Sequence, residues 1–126
     1  SGHVTLALTA TATIFGFVEP PNGVGTGAAG SAYFKSSATA GADKLFVITD
    51  SNAEFACPAD EAVTAAMAGN ACDLVAVNDG VGQTVDVGTS TTDVLQIVKQ
   101  ATEVGSGYAA TDVVVKLNPN KIQLDT

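Results

Sequence analysis

The sequence predicts a mainly β protein: a compact antiparallel β-barrel or sandwich with one short helix and an extended N-terminal arm. Short apolar or alternating segments recur along the chain, and polar turns containing Gly, Pro, Asn or Asp separate them. Small and β-branched residues are abundant, whereas aromatic residues make up only 6% of the chain and Trp is absent. A chain of 126 residues suits one domain with a core of its own.

The first thirteen residues are predicted to form an extended arm or an edge strand, and residues 14–126 a single β domain. Apolar residues alternate with Thr and Ala in the arm, which is the period-two pattern of extended backbone. The apolar positions of the arm are Val4, Leu6, Leu8, Ala10 and Ala12. Such an arm can add to the sheet edge of another protein, and an ordinary edge strand of the same domain is an equal alternative.

Three strands are predicted in the following part of the chain, at 14–19, 31–37 and 44–50. The first strand ends at Pro20 and Pro21, which have no N–H to donate to a neighbouring strand. An Asn-Gly turn and a glycine-rich loop come next. The third segment, KLFVITD, is a continuous apolar run that is typical of a buried strand.

A short helix is predicted at 60–69, DEAVTAAMAG, after a short strand at 54–57. Acidic residues in its first turn and a glycine at its end agree with the helix dipole and with the capping rules. We expect a couple of turns packed across the end of the barrel. Val63, Ala66 and Met67 share one helical face, which is predicted to be core.

Five more strands are predicted in the second half of the chain, each bounded by polar turn residues. Their ranges are 73–78, 84–87, 93–100, 112–117 and 121–124. An Asn-Asp-Gly turn joins the first two of these strands, and Asn-Pro-Asn precedes the last.

The charge of the chain bears on its partners. Thirteen acidic and five basic residues give a formal net charge of -8, and every basic residue is a lysine. Nucleic acid is therefore not an expected partner, because its binding needs Lys and Arg that neutralise phosphates. Membranes are not expected either, since the chain is acidic and has no run of about 20 apolar residues. The charge suits a protein that stays soluble in many copies.

No catalytic residue, cofactor or metal site is predicted. The only histidine, His3, lies in the arm, so the folded domain has no histidine base. The glycines of GTGAAG at 25–30 precede a strand rather than a helix, which favours a flexible loop over a dinucleotide site. Asp79, Asp86 and Asp93 do not have EF-hand spacing, and solvated turn acids are favoured over a calcium site.

Cys57 and Cys72 are the only cysteines. A disulfide between them would stabilise the fold by about 3 kcal/mol, according to the loop-entropy relation. The favoured alternative is that both are small buried hydrophobic residues. Zinc is not expected, because two cysteines and one remote histidine do not provide four ligands.

Several short segments occur in a recognisable order over residues 14–124. They are IFGFVE at 14–19, YFKSS at 33–37, ADKLFVITDSNAEF at 42–55, GNACDLV at 69–75, GQTVDVGTST at 82–91, DVLQIVKQATEV at 93–104 and TDVVVKLNPNKIQ at 111–123. In this order they resemble small head proteins of tailed, mostly marine, bacteriophages, which are described as decoration, stabilisation or capsid cement proteins. The chain departs from that family at its two cysteines and at its Pro-Gly loop, 20–30.

The resemblance implies a non-enzymatic structural virion protein that binds the outer surface of the capsid and stabilises the head lattice. Its partner would be the major capsid protein, contacted through the arm, on virions assembled in the host cytoplasm. A homotrimer is expected at a threefold axis, with a dimer as the alternative. Other interpretations are a sugar- or receptor-binding module that uses Tyr33 or Tyr108, and a tail-tube or head-completion subunit.

Overall fold

The structure, a computed structural model, describes residues 12–19, 46–76 and 83–122. This part of the chain contains seven β-strands and three single 3-10 turns, which confirms the mainly β prediction. The strands are β1 (Phe17–Glu19), β2 (Phe46–Ile48), β3 (Phe55–Pro58), β4 (Ala71–Ala76), β5 (Gln83–Asp86), β6 (Leu95–Gln100) and β7 (Asp112–Leu117). The 3-10 turns are Ala65–Met67, Ala101–Glu103 and Pro119–Lys121.

Five strands form one curled antiparallel sheet in the order β3-β7-β6-β4-β5. The sheet curls until its two edge strands, β3 and β5, meet at one point. There the N–H of Asp60 donates to the carbonyl of Val85 at 2.9 Å, and the N–H of Val87 donates to Asp60 Oδ1 at 3.2 Å. The result is a half-barrel with a seam between β3 and β5.

Pro58 limits the hydrogen bonding at the seam, where Ala59 forms an isolated bridge to Val85. The N–H of Ala59 points to β7, where it donates to the carbonyl of Thr111 at 2.7 Å. Because successive N–H groups of a strand point to opposite sides, the nitrogen of the preceding residue faces the seam. That residue is Pro58, which has no N–H to donate to β5.

β1 and β2 form a separate antiparallel ribbon with Phe17 opposite Ile48. Phe17 docks the ribbon on the sheet, since its ring stacks on that of Phe55 with centroids 3.9 Å apart. Gly16 permits the close approach of the two strands: a Cβ there would collide with the Ile48 carbonyl oxygen and lie 2.7 Å from Val47 Cγ1. Only glycine fits without displacing backbone.

The core lies inside the half-barrel. Alternate residues of β6 are buried, and a run of three consecutive valines is buried on β7, the central strand beside it. Ile14 joins this core from the N-terminal side, where its N–H donates to the Lys121 carbonyl at 2.9 Å. The core residues are Ile14, Val63, Cys72, Leu74, Val85, Val87, Val94, Leu95, Ile97, Val113, Val115 and Leu117.

The helix predicted at 60–69 is shorter in the structure: a single 3-10 turn, Ala65–Met67. The backbone on both sides of the turn bonds to the loop before β7 and to β6 instead of to itself. Val63 N–H donates to the Ala110 carbonyl at 3.0 Å, and Gly69 N–H donates to the Ile97 carbonyl at 2.7 Å. These tertiary bonds outweigh a weak local helix preference.

Other element bounds also differ from the prediction. β4 begins two residues earlier than predicted, and β6 begins at Leu95 because Asp93 has a left-handed φ of 57°. In the last predicted strand, Lys121 belongs to a 3-10 turn and Ile122 forms an isolated bridge to Ile14. The predicted strand at 31–37 lies outside the described residues.

Candidate functional site

The predicted capsid-contact arm lies mostly outside the described residues, which begin at Ala12. Ala12 and Thr13 are exposed, whereas Ile14 is buried and bridged to Ile122. The described chain is therefore anchored to the barrel at Ile14, directly after the arm. The other arm positions, Val4, Leu6, Leu8 and Ala10, lie outside the described residues.

Two exposed phenylalanines follow this anchor point. Phe46 of β2 is 72% exposed and Phe15, beside β1, is 42% exposed. Phe15 lies two residues before Phe17 on the extended chain, and Phe46 pairs with Glu19, two residues after Phe17, so the two exposed rings flank the docked ring of Phe17 along the ribbon. We call Ala12, Thr13, Phe15 and Phe46 the ribbon surface. Large apolar side chains that a small ribbon leaves in water make it a candidate interaction surface.

The two cysteines are free thiols in the structure. Cys72 is fully buried in the core, and Cys57 is half-buried on β3. Burial raises the pKa of Cys57 to about 11. The pKa of Cys72 rises to about 12, chiefly through burial and secondarily through the nearby carboxylates of Asp73, Asp86 and Asp93. Such thiols are protonated at neutral pH and are poor nucleophiles.

Asp73 is a buried carboxylate that the sequence did not single out. Its side chain is only 3% exposed. Its Oδ1 accepts the N–H groups of Thr91, Thr92 and Asp93 at 3.0, 2.9 and 2.8 Å. Burial by itself would raise the pKa of Asp73, but these three N–H groups stabilise the anion more, and the pKa lies below its usual value.

This arrangement makes Asp73 a structural residue of the β5–β6 loop. The backbone N–H groups of this tight loop have no strand to pair with, and the Asp73 carboxylate accepts them instead. Asp93, which follows that loop, accepts a hydrogen bond from Ser90 Oγ at 2.5 Å. The carbonyl of Asp93 accepts from Asn118 Nδ2 at 2.7 Å. The loop is thereby fixed to β4 at one side and to the end of β7 at the other.

The remaining candidates for chemistry are placed as follows. Asp86 lies on β5 opposite Asp73, and Asp93 precedes β6, while Asp79 lies outside the described residues. His3 and the glycines at 25–30 also lie outside them. Within residues 12–19, 46–76 and 83–122, no group of three His, Cys, Asp or Glu residues could hold a metal ion.

The clefts of the described surface are small. One, of about 240 Å³, lies at the seam and is lined by Phe17, Cys57 and Leu95 among others. Another, of about 210 Å³, is mostly polar and lies beside Gly88 and Thr89. Pockets for small ligands are commonly about 300–1,000 Å³. These clefts fit poorly with a dedicated ligand site.

The predicted apolar helix face is only partly buried. Val63 is in the core and Met67 is half-buried against it, but Ala66 is exposed, so its assignment to the core was wrong. Tyr108 is 40% exposed in the loop between β6 and β7, whereas Tyr33 lies outside the described residues. None of the helices in the described ranges is of the length and apolarity that crossing a membrane requires.

A comparison of the chain with protein-family models, with curated proteins and with solved structures found no match.

Proposed function

We propose that this chain is a non-enzymatic structural protein of a tailed-phage head, which binds the outer surface of the capsid and stabilises its lattice. The observation that carries the proposal is the ribbon surface: two exposed phenylalanines, Phe15 directly after the arm and Phe46 on β2, lie on the small ribbon that docks on the half-barrel. The order of the segments described above, which resembles phage decoration proteins, supports the same function.

The proposed contact has two parts. The arm at Val4 to Ala12 adds to a sheet edge of the major capsid protein through backbone hydrogen bonds. The ribbon surface then buries Phe15 and Phe46 against the capsid, and each buried aromatic side chain contributes apolar area that is otherwise in water. Ile14, directly after the arm, is anchored in the core.

Stabilisation of the head then follows from linkage. A protein that binds the assembled, expanded lattice and not its separated subunits shifts the equilibrium toward the lattice. Many copies act together, so each contact can be modest. We propose self-association as a homotrimer at a local threefold axis, and a dimer at a twofold axis would follow the same logic.

Cosedimentation with expanded, undecorated tailed-phage capsids tests this function. We expect saturation at a fixed multiple of the lattice sites and a higher disruption temperature of the loaded capsids. Phe46→Ser and deletion of residues 1–11 should each weaken binding, whereas Phe46→Leu, which keeps an apolar side chain, should retain most of it. Absence of binding to expanded capsids would refute the proposal. Retention on a glycan array, or a stable sixfold ring, would favour a sugar-binding module or a tail subunit respectively.

A further inference from the structure

The end of the half-barrel formed by the β6–β7 connection carries a surface without charge. It consists of two stretches, 62–70 and 104–111, neither of which contains an acidic or basic residue. We call these two stretches the neutral end. They are far apart in sequence, and the fold brings them together.

A hydrogen bond joins the two stretches of the neutral end, and a second bond ties the first stretch to the end of β6. The N–H of Val63 donates to the carbonyl of Ala110 at 3.0 Å. Gln100, which precedes the second stretch, donates from Nε2 to the carbonyl of Val63 at 2.7 Å. Within the loop, Val104 N–H donates to the Ala101 carbonyl at 2.9 Å. A surface whose backbone is already bonded loses little freedom when a partner binds.

The exposed side chains of the neutral end are apolar or small. Val104 is 56% exposed and Tyr108 is 40% exposed, and both lie in the same short loop. The same two stretches also carry exposed small residues: Ala62, Ala65, Ala66, Ala68, Ala109 and Ala110. Tyr is enriched in protein interfaces, and Ala loses no side-chain rotamer freedom on burial. Val104 and Tyr108 are thus suitable anchors in a surface of low relief.

The acids that border the second stretch are turned back on the protein's own backbone. Glu103 Oε2 accepts the N–H of Gln100 at 3.2 Å. Asp112 Oδ2 accepts the N–H of Ala109 at 2.8 Å. Their charges are therefore partly satisfied within the chain and do not project freely at a partner.

We infer that the neutral end is the surface through which one copy of this chain contacts another. Two copies that each carry a net charge of -8 repel one another over most of their surface. An uncharged surface with apolar anchors is where they can meet without placing carboxylates opposite carboxylates. A basic partner would be attracted to the acidic surface instead. The inference deepens the self-association within the proposed function, but its test does not depend on capsids.

Analytical ultracentrifugation of the full chain and of two matched variants provides the test. Val104→Glu adds one negative charge at the neutral end, and Thr89→Glu adds the same charge at an exposed loop elsewhere. We expect the unmodified chain to self-associate, Val104→Glu to raise the dissociation constant at least about tenfold, and Thr89→Glu to change it less than about threefold. Ala66→Glu, in the other stretch, should act like Val104→Glu. Thermal unfolding should show that all variants are folded, since the three positions are exposed.

A chain that remains monomeric up to about 1 mM would overturn the inference. Equal effects of Val104→Glu and Thr89→Glu would overturn it as well. Capsid cosedimentation of the same proteins separates the two proposals. Self-association that depends on Val104 without capsid binding leaves the inference intact and refutes the proposed function, whereas capsid binding by a monomeric chain does the reverse.

Discussion

At the scale of single residues, Asp73 illustrates how one buried acid can organise a loop. In the sequence it is one polar residue within an apolar segment, ACDLVA, where a strand side chain facing solvent would be the ordinary expectation. In the structure it lies on the face of β4 opposite to the core residues Cys72 and Leu74, where the β5–β6 loop covers it and donates three backbone N–H groups to it. Nothing in the local pattern reveals this, because the donors are 18 to 20 residues away.

Replacing Asp73 should therefore be costly. We expect Asp73→Asn to lower the free energy of unfolding by about 2 kcal/mol, because charge-assisted hydrogen bonds are replaced by weaker neutral ones. Asp50→Asn is the matched control, since Asp50 is exposed and accepts a single N–H, that of Asn52. Urea denaturation of both variants at neutral pH measures the difference. A loss no larger for Asp73→Asn than for Asp50→Asn would contradict the structural role.

The same carboxylate predicts an acid-sensitive component of stability. Its folded pKa is below the unfolded value of about 3.9, so the stability it contributes is present above that value. It is lost as the pH falls through the folded pKa, where the anion is neutralised. The stability gap between the unmodified chain and Asp73→Asn should thus be constant near neutral pH and shrink in acid. A gap that widens toward low pH would contradict the assignment.

The two cysteines predict an alkaline effect of opposite sign. Burial raises the folded pKa values of Cys57 and Cys72 to about 11 and 12, above the unfolded value of about 8.5. Their contribution to stability is therefore full below the unfolded value, begins to decline as the pH rises past that value and is lost as the pH rises through the folded values. We expect the free energy of unfolding of the double variant, Cys57→Ala with Cys72→Ala, to fall less with rising pH than that of the unmodified chain. Urea denaturation between about pH 7 and 10 measures the difference.

Thiol labelling provides an independent check on the cysteines. Both should react slowly with a thiol-specific reagent in the folded protein and rapidly in urea. The unfolded chain should show two reactive thiols per molecule. Cys57, which is half-buried, should react before Cys72. Detection of no free thiol in the unfolded chain would instead support the disulfide that the sequence left open.

At the scale of elements, the sequence predicts strands well where their pattern is reinforced by neighbours. The segment DVVVKL matches β7 residue for residue, because a central strand buries both of its faces and so appears as a continuous apolar run. The segment at 60–69 has helical capping signals, yet it forms one 3-10 turn. Its backbone groups bond to β6 and to the residues before β7, and such tertiary partners cannot be inferred from local spacing.

The ribbon of β1 and β2 depends on one glycine that the sequence did not identify. A Cβ at Gly16 would meet the backbone carbonyl of Ile48, which cannot move without disturbing the pairing of the two strands. Gly16→Ala should lower the free energy of unfolding by about 1–3 kcal/mol through this overpacking. Gly105→Ala is the control, because a Cβ at that position meets nothing within 4 Å. Thermal unfolding compares the two, and equal midpoints would show that the ribbon tolerates a methyl group at position 16.

At the scale of the whole molecule, the sequence predicted the mainly β fold class but not the positions of the ribbon surface and the neutral end. A β-barrel or sandwich was expected from the spacing of strands and turns, and the described strands form a half-barrel. The neutral end was not expected, because it is assembled from stretches on either side of β4, β5 and β6, and only the fold places them together. The ribbon surface likewise combines Phe15 with Phe46, which strand pairing brings to the same small ribbon.

The net charge of -8 leads to a prediction about the whole fold. Repulsion among like charges destabilises the compact state, and salt shortens the Debye length from about 30 Å at 0.01 M to about 3 Å at 1 M. The unfolding temperature should therefore rise by a few degrees, about 3–6 °C, between low and high NaCl at a dilute protein concentration. Thr89→Lys should reduce this dependence and Thr89→Glu should increase it, because they change the net charge in opposite directions at one exposed position. The contrary outcome is that both variants show the same rise of unfolding temperature with NaCl as the unmodified chain. That result would mean that long-range repulsion does not limit the stability of the chain. The proposed uncharged contact between copies would then lose its electrostatic basis.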